Sequence, residues 1–148
     1  MSAGANLDLL VLPALSLSIN PGAVSDDVLV DLSRGLDALL VTTIAERADT
    51  GTYSTAVLAG PNGVIGQHRQ RHLTSEERAW ATPGDGPLQT FDTPVGRIGL
   101  LAGYDALFWE STRVLATLGA DLICVPAALR WPQPQPMGEG AEWVYWRS

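Results

Sequence analysis

The 148-residue sequence predicts an α/β fold (α+β, layered): a mixed sheet with helices covering one face. Three observations carry that prediction. Two runs, residues 7–12 and 120–125, each stop at a proline and, apart from Asp8 and Asp121, are apolar throughout, as in strands buried on both faces. Two segments carry helical periodicity, and two more carry strand-turn-strand chemistry.

The elements follow in order. LDLLVL (7–12) is the first strand, closed by Pro13. Ser25 is placed to cap a helix over residues 26–37, with Asp26 and Asp27 at its positive end. Val28, Leu29, Leu32, Leu36 and Leu39 recur at helical spacing. ALLVTTI (38–44) returns to strand character, and the polar AERADTGT (45–52) reads as a loop. Residues 53–59 and 63–69 flank GPNG, whose Pro-Asn-Gly content predicts a hairpin turn. HLTSEERAWATPGDGP (72–87) reads as a loop, with one helical turn at 75–80 capped by Ser75. A second hairpin spans 87–103 with its turn at 92–96. ESTRVLATL (110–118) is a helix ended by Gly119, and ADLICV (120–125) is the last buried strand. The chain divides into a domain over 1–130 and a tail over 131–148 rich in proline and tryptophan.

Composition narrows the function. Hydrophobic residues make up 46% and charged residues 17%, the balance of a chain that buries a core. The net charge is −7 and all nine basic residues are scattered arginines, which argues against nucleic acid as a partner. No apolar run approaches the ~20 residues of a membrane span, so no membrane partner is expected. The single cysteine and the absence of a signal-like N-terminus fit a cytoplasmic setting. Lysine is absent altogether.

The most informative stretch is LLAGYDALFWE (100–110): a buried strand running into a sharp aromatic turn that opens a helix. Together with LLVLPALS (9–16), the hairpin leading into RQRHL (69–73), the Pro-Gly-Asp of TPGDG (82–86) and GADLICVP (119–126), it resembles the nitrilase, or carbon-nitrogen hydrolase, superfamily. The resemblance implies part of an α-β-β-α sandwich. It also implies a glutamate base, a lysine and a cysteine nucleophile that cleave amides or nitriles through a thioester. Those three roles fall on Ala14, Gln70 and Gly103, none of which can fill them. Such chemistry needs a thiolate, a base to generate it and a cation for the developing oxyanion. The scaffold residues Pro13, His72, Leu73, Tyr104, Asp105, Phe108 and Glu110 match the pattern, and Trp109 replaces the usual proline.

The expectation is therefore a domain without hydrolase activity, acting as a binding, regulatory or oligomerisation module that needs no cofactor. Arg69, His72, Glu77, Tyr104, Asp105 and Glu110 are its candidate pocket residues, suited to a small amide-like ligand. Arg69 and Arg71 are weighed as an anion clamp against a solvated strand edge, and the edge is favoured. The alternative function is a residual amidase-type hydrolase in which Asp105 or Glu77 activates water. Asp105 is favoured as a brace of the turn, and Glu110 as a helix-start residue or an arginine's partner. Cys124, flanked by apolar residues, reads as a buried inert thiol. His68 and His72 stand four apart but not on a helix, so no metal site is expected. Relatives of this kind usually carry further strands at both ends. A second copy, or a partner chain completing the sheet, is the expected partner.

Overall fold

A computed structural model describes residues 7–128; the tail over 131–148 lies outside them. The elements run β1 (Leu9–Val11), α1 (Asp26–Leu36), β2 (Leu39–Ala48), β3 (Gly51–Gly60), β4 (Gly63–Arg69), β5 (Thr90–Thr93), β6 (Gly96–Leu100), α2 (Trp109–Thr117) and β7 (Leu122–Cys124). Two mixed sheets form, one ordered β1-β2-β3-β4 and the other β5-β6-β7. β1 lies parallel to β2, and β6 parallel to β7. The other pairings are antiparallel hairpins.

Period-two alternation sorts the apolar side chains between layers. Leu39, Val41, Ala56 and Leu58 of the first sheet pack on Ile98, Leu100, Ala102 and Cys124 of the second, forming the core between the sheets. Their strand neighbours Leu40, Ile44, Val57 and Ala59 point the other way and pack with Leu29 of α1. On the second sheet the alternate residue is Gly99. A Cβ there would stand 3.0 Å from Leu115, so the glycine lets α2 lie close on the outer face. Each sheet thus carries one helix, and the order of layers is α-β-β-α. Cys124 is buried, and burial pushes its thiol pKa up, in keeping with an inert core residue.

The structure corrects the expected elements in three places. The polar loop expected over 45–52 is strand on both sides of a turn at Asp49 and Thr50. Its polarity has a structural use, because Glu46 accepts hydrogen bonds from Thr55 Oγ1 across the hairpin and from Arg69. Ser25 stands at the start of α1 in extended conformation, but its side chain makes no capping hydrogen bond. Helix α2 begins one residue early, at Trp109.

Candidate functional site

The elbow between β6 and α2 is a short 3-10 turn over Gly103–Leu107. Gly103 has φ of +46°, a left-handed conformation that costs side-chain-bearing residues about 1–2 kcal/mol. Its N–H donates to Pro126 O at 3.0 Å, tying the elbow to the chain beyond β7. Thr43 of β2 also reaches Pro126 O through its hydroxyl, at 3.4 Å. The Thr43 carbonyl in turn accepts from Leu15 N at 3.0 Å. Ala14 therefore enters the same end of the sandwich as Gly103 through its neighbour Leu15.

Gln70 stands directly against the elbow and is 1% exposed. A Cβ on Gly103 would lie 3.2 Å from Gln70 Nε2 and 3.3 Å from its Oε1. The structure thus brings face to face two of the three positions on which the resemblance places catalytic roles. Gln70 Nε2 donates to His72 O at 2.9 Å and to Glu77 Oε2 at 3.0 Å, which uses both of its hydrogens. Glu77 is held from the other side by a reciprocal pair: Thr74 N donates to its Oε2 at 2.8 Å, and Glu77 N donates to Thr74 Oγ1 at 3.2 Å. The reciprocal pair has the pattern of a capping box and ties the start of the turn Glu77–Ala79 to Thr74, where the sequence predicts Ser75 as the cap.

The Pro-Gly-Asp stretch has a steric reason. Gly84 N donates to Gln70 O, and a Cβ on Gly84 would come within 2.5 Å of Arg69 O. Only glycine lets the chain pass there and hold the end of β4 in place.

Asp105 is the hub of the elbow, with no exposed side-chain surface. His68 Nε2 stands 2.9 Å from Oδ2, and His72 Nδ1 stands 2.8 Å from Oδ1. The backbone N–H groups of Arg71 and His72 donate to the same carboxylate. Burial pushes the Asp105 carboxyl up, but the hydrogen bonds from His68, His72 and Arg71 outweigh it and hold the pKa below the usual carboxylate value. An ionised carboxylate only accepts, so each imidazole presents an N–H to it. The His72 ring also stacks on Phe108 with centroids 3.7 Å apart, and Tyr104 meets Phe108 edge-on.

The remaining candidates divide. Arg69 is not a free clamp but sits at the end of the edge strand β4, partly exposed, and Arg71 beside it is exposed. The Arg69 guanidinium bonds Glu46 through Nε and an Nη and lies 3.9 Å over the Tyr53 ring. The hydrogen bond from Arg69 lowers the Glu46 pKa against the opposing effect of burial, and that from Glu46 raises the Arg69 pKa. Glu110 leaves the group. It lines a shallow depression on the outer face of α2 with Trp109, Arg113, Val114, Thr117 and Leu118. His68 is the partner that sequence reading missed, since it was considered there only as a metal ligand. Among the described residues no cluster of His, Cys, Asp or Glu suits a metal ion, and no helix is long and apolar enough to cross a membrane.

The sequence profile of the carbon-nitrogen hydrolase family matches residues 7–147. The chain is 36% identical over 112 residues to a nitrilase from Pyrococcus abyssi, covering 76% of this chain and 43% of that one. It is 36% identical over 100 residues to an (R)-stereoselective amidase of a Pseudomonas species, covering 66% and 35%. Among solved structures, the NitN amidase of Nesterenkonia sp. AN1 superposes with a TM-score of 0.73 at 27% identity, covering 85% of this chain and 55% of that one. A carbon-nitrogen hydrolase from Helicobacter pylori superposes with a TM-score of 0.74 at 24% identity, over 85% and 49%, a likeness of fold alone. The chain spans between about a third and just over half the length of these relatives.

Proposed function

Because the chain belongs to the carbon-nitrogen hydrolase family, we propose that it is a nitrilase-like domain that does not perform thioester hydrolysis and acts by binding or assembly. The observation that carries this reading is the juxtaposition of Gln70 with Gly103. Where the family's chemistry calls for a thiol beside a cation, this elbow offers a bare Cα beside a neutral amide. Ala14 supplies no base, and a missing nucleophile removes covalent turnover whatever else is kept. Solved structures of the Nesterenkonia amidase include covalent adducts at an active-site cysteine, an attachment point that Gly103 lacks.

Water activation by a carboxylate is the weaker reading. Asp105 is sealed and already accepts from two imidazoles and two backbone amides, while Glu77 is occupied by Gln70 and Thr74. Among the described residues β1, β4, β5 and β7 are each paired on one side only, and we place the domain's activity in assembly with a second copy or another chain that extends the sheets.

The test is steady-state assay of the purified 148-residue chain against amides, carbamoyl compounds and nitriles, with intact mass measured during incubation. No turnover and no acyl adduct are expected. Turnover that disappears in Glu77→Ala would overturn the reading.

A further inference from the structure

The Gln70 amide has a fixed orientation. Both groups within reach of its Nε2, the His72 carbonyl and the Glu77 carboxylate, are acceptors. Reversing the amide would set oxygen against oxygen twice, so Nε2 keeps that side and Oε1 takes the other. Among the described residues Oε1 accepts no hydrogen bond. Yet no fully enclosed side-chain nitrogen or oxygen there lacks a partner, so Oε1 holds the small part of Gln70 that solvent still reaches. It belongs to a side chain that is 99% buried and beside Gly103, which has no side chain to screen it.

The electrostatic setting points the same way. An amide that donates to a carboxylate is polarised toward its oxygen, which makes Oε1 a stronger acceptor. The charge bonded to the amide is that of Glu77, and the Arg69 guanidinium is drawn off onto Glu46 and Tyr53. A lysine at position 70 would offer donors and positive charge to an oxygen of a bound molecule. Gln70, with its donors spent on the His72 carbonyl and the Glu77 carboxylate, offers an acceptor.

We propose that the elbow at Gln70 and Gly103 binds small nitrogen donors, amidinium, guanidinium or ammonium cations ahead of primary amides, and rejects oxyanions. The inference rests on the non-hydrolytic reading of the same site and names its ligand class. Its logic is inverted polarity: the protein side accepts where hydrolytic chemistry requires it to donate.

The experiment is a titration of the full chain with acetamidinium, acetamide and acetate, followed through the Gln70 side-chain amide and the Gly103 backbone amide by 1H–15N NMR. Saturable shifts are expected with acetamidinium, about tenfold weaker binding with acetamide, and none with acetate, the gap expected between charged and neutral hydrogen bonds. Gln70→Lys is expected to reverse the order. Glu77→Gln, which keeps an acceptor for Gln70, is expected to weaken acetamidinium and leave acetamide unchanged. Acetate binding to the wild type, silence with all three probes, or an order untouched by both variants would each overturn the ligand class. Conversion of acetamide to acetate in the same tube would instead overturn the non-hydrolytic reading, so the two failures are distinct.

Discussion

Asp105 and Gln70 are both buried polar side chains, and both join the end of β4 to the elbow. Asp105 is saturated: two imidazoles and two backbone amides surround a carboxylate that must stay ionised to satisfy them. Gln70 is half-satisfied, its amide nitrogen spent and its oxygen without a partner among the described residues. One residue holds the turn in shape and the other faces the place where chemistry would occur. On the proposed reading, that these two needs are met by different residues explains how the elbow keeps its shape without a reactive set. The hydrogen bonds to the Asp105 carboxylate come from His68, Arg71 and His72, and none from Ala14, Gln70 or Gly103.

The sharpest way to break this comparison is to remove the brace. Asp105→Ala leaves two imidazole N–H groups and two backbone amides facing an empty site, and is expected to cost about 3–5 kcal/mol in chemical denaturation. The same residue sets an acid limit. Its folded pKa is depressed, so its contribution is complete above the unfolded carboxylate value of about 3.9 and is lost as pH falls through the lower folded value. Stability measured against pH is expected to drop below about pH 4, and Asp105→Asn to flatten that drop. The Glu46–Arg69 pair adds a parallel but smaller acid-sensitive contribution, because it is partly exposed and solvent screens it. An Asp105→Asn profile as steep as the wild type's would show that the hub carries no charge-dependent stability.

Restoring a side chain at the elbow tests the other half of the comparison. Gly103→Cys puts a Cβ into a left-handed backbone and within 3.2 Å of the Gln70 amide. It is expected to lower stability by about 1–3 kcal/mol and, with Ala14 and Gln70 unchanged, to form no acyl adduct on incubation with amides. Adduct formation by this single variant would show that base and cation are dispensable, and that glycine alone silences the site.

How much of this was legible in the sequence depends on the range of the interaction. The hairpin turns read at 60–63 and 92–96, the strands and both helices are local signals, written in turn residues and periodicity, and they stand, the second turn narrowing to 94–95. The burial expected on both faces of the first and last strands does not: β1 and β7 are edge strands, with Val11 and Leu122 exposed. The continuation of β2 through Glu46 was not legible. A charged residue reads as loop until its partner Arg69 is known to lie across the sheet, 23 residues later. His68 was invisible for the same reason, since its meaning lies 37 residues away in Asp105. Glu110 failed in the opposite sense: proximity in sequence to the elbow suggested a site residue, but helical geometry turns it to the outer face of α2. The placement of Gln70 against Gly103 came from matching motifs, and their contact follows only when β4 and β6 are stacked in separate sheets.

The smallest expected effect concerns the link between the two regions. Thr74 holds Glu77 by a reciprocal pair of hydrogen bonds, and Glu77 holds the Gln70 amide. Removing the hydroxyl in Thr74→Ala deletes one cap hydrogen bond and leaves the backbone N–H of residue 74 still able to donate, so the stability cost is about 0.5–1 kcal/mol. The Asp105 hub shares no partner atom with this chain of contacts. The pH dependence of stability should therefore be unchanged in Thr74→Ala, while the Gln70 side-chain amide resonance shifts as its carboxylate partner loosens. A Thr74→Ala variant whose acid limb moves along with the Gln70 resonance would show that hub and amide are one coupled unit, and the separation argued from Asp105 and Gln70 would fall with it.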